Sequence, residues 1–488
     1  IKHPDTRTDC NDKDSKIGAA ESFYSKLYTE ERIDINCLDA ILNHINKSIS
    51  KEETEEITQD ISFEEIKQGA KRSPRKSSPG LDGLPYEILN IVMIHPRCKE
   101  IVEKVYNDAL KYGIIPKSWQ QACIILLPKK GDLSDLSNWR PISLINTDCK
   151  VFTRILNSRL MGIASQLINN FQTGFMPQRF IGDQGFSLNL MIENSKVCKG
   201  LNKSEFTEYV GIMLDNHKAY DRVHPYYLTK VLEKFGIPES IIQCIQNLFF
   251  NNEIFVNVNG FLTNPIKQKR GLRQGDAISP LLFNFAIEPF LLSILNNEAV
   301  TGYTMQSTKP SSQNSMNMVS PKPIKLLAYA DDILIFAKNK AEYLAIEDCL
   351  KGYSKASNSK INLDKSVAFP LHGSKMVGHK GAELRNYITN NQRMKWFDNS
   401  STGYLKYLGY PLWFNNQQRD TFVDNISGKI QATVNFYKER KISVYGRATV
   451  ANTMILSKLW HVLRLTNLPK VVTSRLNSII YQYIVDDR

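Results

Sequence analysis

The chain has 488 residues, 42% hydrophobic and 23% charged, enough apolar surface for several packed subdomains, which excludes an intrinsically disordered protein. Its net charge of +13 at pH 7 gives a positive field that favours a polyanion, although surplus lysine also serves solubility. Eight scattered cysteines without a CxxC pair exclude a zinc ribbon or disulfide framework and read as free thiols in a reducing compartment. No apolar run reaches the ~18 residues of a membrane span, and no signal peptide is visible. A first residue of Ile1 is what a piece of a longer protein would show.

Residues 14 to 28, DSKIGAAESFYSKLY, place apolar residues at helical spacing and predict an amphipathic lead-in helix. Ser62 and Glu65 have the spacing of a capping box, and the basic stretch KRSPRKSSPGLDGLP beyond that helix predicts loop. DALKYG ends a helix on Gly113, ACIILLP is a buried strand, and NWRPISL opens a second extended piece, two fingers of one sheet. EYVGIMLD is a strand ending at Asp215, and Pro225 to Phe235 is a helix closed by Gly236. Around Asn259-Gly260 apolar and polar residues alternate, the strongest short-range hairpin signal. Ser279 to Leu295 is helical, whereas Gln306 to Pro323 is rich in Ser, Asn, Pro and Met and predicts a surface loop. A second, irregular insertion is expected from about His372 to Thr402. From Gln417 onward, amphipathic helices with basic exposed positions predict a helical terminal subdomain.

One segment carries an electrostatic anomaly. In KLLAYADDILIFAK, residues 325 to 338, Asp331 and Asp332 stand side by side between apolar runs that read as strand, tight turn, strand. Burying an unpaired carboxylate costs several kcal/mol, and two neighbours repel. Either the turn points into water, as Asp-containing turns do, or a divalent cation supplies the missing charge. Asp215 offers a third carboxylate at the carboxyl end of a strand, where open sheets present their sites. A helix N-cap is the ordinary alternative for such a residue. A strand-end Asp with an Asp-Asp hairpin is a donor set for two magnesium ions about 3.5 to 4 Å apart, the arrangement that drives in-line phosphoryl transfer. Oxygen ligands suit magnesium, and soft donors for zinc or copper are missing from the set.

In their order and spacing, GIMLDNHKAYDRV, RGLRQGDAISPLLFNFAIEP and YADD resemble the palm of a reverse transcriptase. NWRPISL, the PGLDG segment at 79–83, SKINLDKS and YLGYPL narrow the resemblance to the enzymes of LINE-like non-LTR retrotransposons of fungal type. It implies an α+β right-hand polymerase: fingers, a palm with an antiparallel sheet, and a helical thumb. It also implies that Asp215 and Asp331 ligate two Mg2+ ions, or Mn2+, with Asp332 beside them as a third catalytic carboxylate. Tyr220 matches the aromatic gate whose ring excludes a ribose 2′-OH by volume; ordinary core packing is its plain alternative. Arg140, with Lys129 or Lys130, matches the finger cations on the incoming triphosphate, the Arg as a planar fork and the Lys as a point charge. Gln274 and Gly275 match the loop beneath the template base and nucleotide, where Gly permits close backbone approach. Lys365 matches a general acid for the pyrophosphate leaving group. Tyr407, Leu408 and Gly409 match the primer grip, and Lys429, Lys438, Arg440 and Arg447 match phosphate contacts of the thumb. Each of these cations could equally be a solvated face. Asn216 and His217 depart from the family, which usually has an aromatic and an acidic residue there, and Asp276 replaces a common Cys.

The expected organisation is a helical lead-in over 1–61, fingers over 62–206, a palm over 207–415 with insertions near 306–323 and 372–402, and a thumb over 416–488. The implied activity is RNA-directed DNA synthesis, target-primed at a nicked chromosome. RNA template, DNA primer or target DNA, and dNTPs are the partners, with an endonuclease domain upstream. The implied location is the nucleus, with a cytoplasmic ribonucleoprotein stage. Two rivals stand beside it. One is another polymerase, a group II intron maturase or a viral RNA replicase, the latter disfavoured by YADD and Tyr220. The other is a decayed or domesticated nucleic-acid-binding protein.

Overall fold

A computed structural model of the chain describes residues 1–71, 77–201, 206–306, 322–376 and 378–485. The chain divides into two compact units, the first comprising Ile1–Gln178, Asn216–Asn297 and Ile346–Ile361, the second Arg179–Asp215, Glu298–Ala345 and Asn362–Arg488. In chain order the strands are β1 (Gln121–Pro128), β2 (Trp139–Leu144), β3 (Val210–Leu214), β4 (Asn252–Val258), β5 (Phe261–Leu262), β6 (Ile266–Gln268), β7 (Leu326–Tyr329), β8 (Asp332–Ala337), β9 (Val367–Pro370), β10 (Lys395–Trp396), β11 (Leu405–Tyr407) and β12 (Tyr410–Leu412).

The first unit is built on a sheet of order β2-β1-β4-β5, with β6 also paired to β4. β1 buries Ala122, Cys123 and Ile124 and is antiparallel to β2 and parallel to β4. The β4–β5 turn is the expected one: Asn259 (φ 53°) and Gly260 (φ 92°) both take positive φ, as the right-handed twist of a two-residue hairpin demands. At the core of the unit, helix Ser279–Leu295 is buried along nearly all its length, as a helix apolar on every face must be. Its one buried acid, Glu288, accepts hydrogen bonds from the backbone N–H and Nδ2 of Asn169, 2.8 Å each. The lead-in residues belong to the same unit: Lys13–Leu27 packs on β4 and β6, and Ile35–Leu42 packs on helices Pro225–Lys234 and Ser279–Leu295. The capping box at Ser62 is half made. Ser62 Oγ accepts from the Glu65 N–H (3.2 Å), while the Glu65 carboxylate takes a bidentate grip on Arg159 (2.9 and 2.7 Å). A charged fork outcompetes a neutral backbone amide for that acceptor.

The second unit holds a sheet of order β10-β9-β3-β8-β7, with β3 at its centre and antiparallel to both neighbours. The stretch expected to be an irregular insertion, 372–402, is not irregular throughout. It contains helix His379–Asn386, a π turn over Tyr387–Asn391, and β10, which joins the sheet edge parallel to β9. Most of the loop expected near 306–323 lies outside the described residues, as does part of the basic loop at 71–76. The C-terminal helices form their own core: Phe422, Ile426, Ile430 and Val434, four residues apart along Asn416–Lys438, meet Ile455 and Leu459 and then Leu476, Ile480 and Tyr483. None of the eight cysteines, all among the described residues, forms a disulfide, and five are buried.

Candidate active site

Strand register brings the carboxylates together in the second unit. β3 and β8 pair with Leu214 opposite Ile333, so Asp215, one residue beyond β3, faces Asp332, the first residue of β8. Residues directly opposite on neighbouring strands point to the same face. The turn of the YADD hairpin is Ala330-Asp331, not Asp-Asp, because Tyr329 already pairs with Asp332. Ala330 takes φ 52°, an uncommon conformation for a residue with a Cβ and a local strain of the kind that gathers at functional sites. A cavity of about 250 Å³ opens beside the pair, lined by Asp215, Asp332, Lys365, Val367, Tyr407 and Leu408 among others. Asp332 has an open side to solvent, yet crowding by the protein, then the charges of Asp331 and Asp215, push its carboxyl up to about 6. All three carboxylates therefore share one electrostatic neighbourhood. Among the described residues, no group of three or more His, Cys, Asp or Glu side chains is arranged to enclose a metal ion. The three aspartates converge without closing a cage.

The backbone of Asp215 is latched on both sides. Its N–H donates to Ser366 Oγ (3.0 Å), and its carbonyl accepts from the Asn362 N–H (2.7 Å). Ser366 Oγ in turn donates to the Asn362 carbonyl (2.8 Å), so the NLDKS turn grips the end of β3 and carries Lys365 to the cavity wall. In the sequence the motif points to Lys365 alone; Asn362 and Ser366 are site residues that only the fold reveals.

On the same cavity, β11 and β12 form a hairpin whose two turn residues, Leu408 (φ 48°) and Gly409 (φ 85°), both lie in the left-handed region. His461 stacks on Tyr410 (centroids 4.0 Å apart) and its Nε2 donates to the Leu408 carbonyl (2.8 Å), which holds a bulky residue in a conformation it rarely adopts. Burial, and then the Asp332 carboxylate, hold the Tyr407 phenol well above its usual pKa. It is a neutral group at the margin of an anionic site.

The residues matched to nucleotide binding lie in the first unit. Tyr220 opens the short 3-10 turn Tyr220–Arg222, and its ring lies parallel to Phe283 (4.8 Å, 13°). Gln274 Nε2 donates to Asp221 Oδ1 (3.1 Å), and the Gln274 carbonyl accepts from the Ser143 N–H (2.8 Å). Gly275 (φ 105°) runs so close to β2 that a Cβ would stand 3.3 Å from the Ser143 oxygen. Asp221 is fully buried; burial raises its carboxyl to about 6, opposed by Lys218, the Gln274 bond and Lys129. Arg140 is exposed opposite Leu127 on the β1–β2 hairpin, with Lys129 and Lys130 just beyond the end of β1. Of these two lysines, Lys129 is the one whose charge, with that of Lys218, opposes the rise at Asp221. His217 has an exposed side chain and a backbone N–H bonded to the Lys360 carbonyl (2.8 Å), and Asp276 is buried beside Arg273.

Lys429 and Lys438 on helix Asn416–Lys438, and Arg440 in the turn after it, are exposed, with the Arg440 guanidinium over Phe436 and Tyr437. Arg447 differs: it is half-buried, with Nε enclosed and its charge beside the Tyr483 phenol.

Comparison with known proteins agrees with this geometry. Residues 127–412 match the family described as reverse transcriptase (RNA-dependent DNA polymerase). The chain is similar to the transposon TX1 uncharacterized 149 kDa protein of Xenopus laevis, 28% identical over 454 residues, covering 93% of this chain and 32% of that protein. It is also similar to the retrovirus-related Pol polyprotein from type-1 retrotransposable element R2 of Popillia japonica, 26% identical over 64% of this chain and 40% of that one. A third relative is the RNA-directed DNA polymerase from mobile element jockey of Drosophila melanogaster, 25% identical over 62% of this chain and 31% of that one. The chain thus spans between about a third and two fifths of the length of these relatives.

Proposed function

This chain belongs to the reverse transcriptase (RNA-dependent DNA polymerase) family, and from that premise we propose that it is the RNA-directed DNA polymerase of a LINE-like non-LTR retrotransposon, with the family's α+β right-hand fold. The observation that carries the reading is the convergence of Asp215, Asp331 and Asp332 at the end of the antiparallel strands β3, β8 and β7, beside a cavity that Lys365 also lines. Members of the family use divalent metal ions, and three neighbouring carboxylates, two of whose charges raise the pKa of the third, Asp332, are a donor set that suits a hard cation. When bound, two Mg2+ ions would supply activation of the primer 3′-OH and stabilisation of the leaving oxygen.

Asp215 and Asp331 hold the ions in this reading, and Asp332 completes the anionic site and fixes the turn. Lys365 gives a proton to departing pyrophosphate, and the Tyr407–Gly409 hairpin bears on the primer backbone. Arg140 and Lys129 bind the triphosphate, Tyr220 excludes the ribose 2′-OH, and Gln274 and Gly275 back the templating base. Lys429, Lys438 and Arg440 track phosphate, a role for which the inward-turned Arg447 is less suited. Kinship with retrotransposon proteins supports a reading in which synthesis is target-primed in the nucleus, with endonuclease activity supplied from outside this chain.

The test is extension of an oligo(dT) primer on poly(A) with Mg2+ or Mn2+. Wild type should extend, chelation of the metal should stop extension, and Asp331→Asn should abolish it while leaving primer–template binding intact. Binding without extension in wild type, across metal and salt conditions, would establish the binding-only alternative instead.

A further inference from the structure

The 3-10 turn that carries Tyr220 and the loop that carries Gln274 are laced together by backbone bonds: Gly271 N–H to the Val223 carbonyl and Leu272 N–H to the Tyr220 carbonyl, both 2.8 Å. Each segment brings one buried guanidinium to the same place, Arg222 (6% exposed) from the turn and Arg270 (2% exposed) from the loop. Two buried like charges repel unless an anion lies between them. That anion comes from the N-terminal lead-in. Glu31 Oε1 accepts from Arg222 and from Arg270, 3.1 Å each, and Oε2 pairs with Lys360 (3.2 Å). Burial works against the Glu31 charge, but Arg222, with Arg270 and Lys360, holds its carboxyl down to about 2.

The surrounding strap is anchored by main chain as well. Arg270 Nε donates to the Leu27 carbonyl (2.9 Å), the Lys269 N–H to the Tyr28 carbonyl (3.1 Å), and Asn358 Nδ2 to the Glu31 carbonyl (2.7 Å). The next residues add His224 on Glu30 (3.0 Å) and a long Tyr28 hydroxyl contact to Asp221 (3.5 Å).

We propose that Glu31 is a positioning residue for nucleotide selection: it neutralises Arg222 and Arg270 and thereby holds the Tyr220 turn and the Gln274 loop in register. The kinetic part of this proposal rests on the reading of Tyr220 and Gln274 given above; the clamp itself does not. Glu31→Gln keeps the shape of the side chain and removes its charge, so the two guanidiniums are left to repel and the segments they anchor part more often.

Two measurements on the full chain separate the parts. Amide hydrogen exchange at Gly271 and Leu272 should speed up about 10-fold or more in Glu31→Gln, with β1 and β4 amides unchanged, and Glu31→Asp should restore most of the protection. Unchanged exchange overturns the clamp whether or not the protein polymerises. In single-nucleotide incorporation, Glu31→Gln should raise KM for dNTP about 10-fold more than it lowers kcat and should reduce discrimination against rNTP. Altered exchange with wild-type KM and discrimination in an extending enzyme overturns the positioning role. Absence of extension in wild type overturns the polymerase reading and, with it, nucleotide selection as the purpose of the clamp.

Discussion

Replacing Gly271 by Ala puts a methyl group where the backbone has left no room. Gly271 takes φ +92°, and a Cβ there would lie 2.6 Å from the Asp221 carbonyl oxygen, 2.9 Å from its carbon and 3.0 Å from its Cα. All three are main-chain atoms, so no side chain can swing aside. Reaching ordinary contact near 3.4 Å requires the loop and the Tyr220–Arg222 turn to separate by about 0.8 Å. The positive φ costs about 1–2 kcal/mol for a residue with a Cβ, and forcing a methyl into a packed site costs about 1–3 kcal/mol more. The expected loss of stability is therefore about 2–5 kcal/mol, read from urea unfolding followed by circular dichroism. Because the turn carries Tyr220, a shift approaching 1 Å should also cost on the order of 100-fold in dNTP incorporation by the fraction that stays folded. Gly271→Ala protein within about 1 kcal/mol of wild-type stability and within about 3-fold of its activity would show that the Asp221–Gly271 approach is not a constraint on this fold.

Three further outcomes are expected. Burial raises the Asp221 carboxyl from 3.8 to about 6. The folded state thus binds that proton more tightly than the unfolded chain, and the associated stability is full below about pH 4 and lost as pH rises through about 6. Asp221→Asn should remove up to ~3 kcal/mol of that decline, measured as the difference in unfolding free energy between acidic and neutral buffer, and an unchanged difference would show that Asp221 ionises freely. Tyr220→Val should reduce discrimination against ribonucleotides at least ~10-fold in single-nucleotide incorporation; undiminished rejection would place the gate elsewhere. Glu288→Leu leaves the buried Asn169 N–H and Nδ2 without their acceptor and should cost about 2–5 kcal/mol by thermal or urea unfolding, with Glu288→Gln intermediate because it keeps one oxygen.

What could be read from the sequence was local, or carried by a long ordered set of motifs. Asn259-Gly260 specified a hairpin because few other dipeptides take two positive φ values, and the bulky runs around Asp331 specified strand, turn, strand. The helix Ser279–Leu295 was legible as one long, nearly unbroken apolar run. β10 escaped notice because it is two residues, Lys395 and Trp396, in a polar stretch with no alternation, and its pairing to β9 is a tertiary fact. The Ser62 box was half right because Glu65 has a better partner in Arg159, 94 residues away. The aspartates could be nominated from the sequence, but the placement of Asp215 opposite Asp332 follows from the register of β3 on β8. Glu31 gave no signal at all: it stands in an acidic, loop-like stretch, and its partners Arg222 and Arg270 lie 191 and 239 positions on.

The latch on Asp215 imposes an order on the birth of the protein. Ser366, which receives the Asp215 N–H, lies 151 positions downstream, and Asn362, which clasps its carbonyl, is nearly as far. At a synthesis rate of about 5–20 residues per second, roughly seven to thirty seconds separate the appearance of that aspartate from the appearance of the residues that hold it. A nascent chain that stalls anywhere in between carries Asp215 unfastened, and β9, β11 and β12 have yet to be made. Translation therefore sets the sequence of events: the end of β3 is fastened only after Asn362 and Ser366 have been made, and a product that stops short of them leaves Asp215 without either backbone bond.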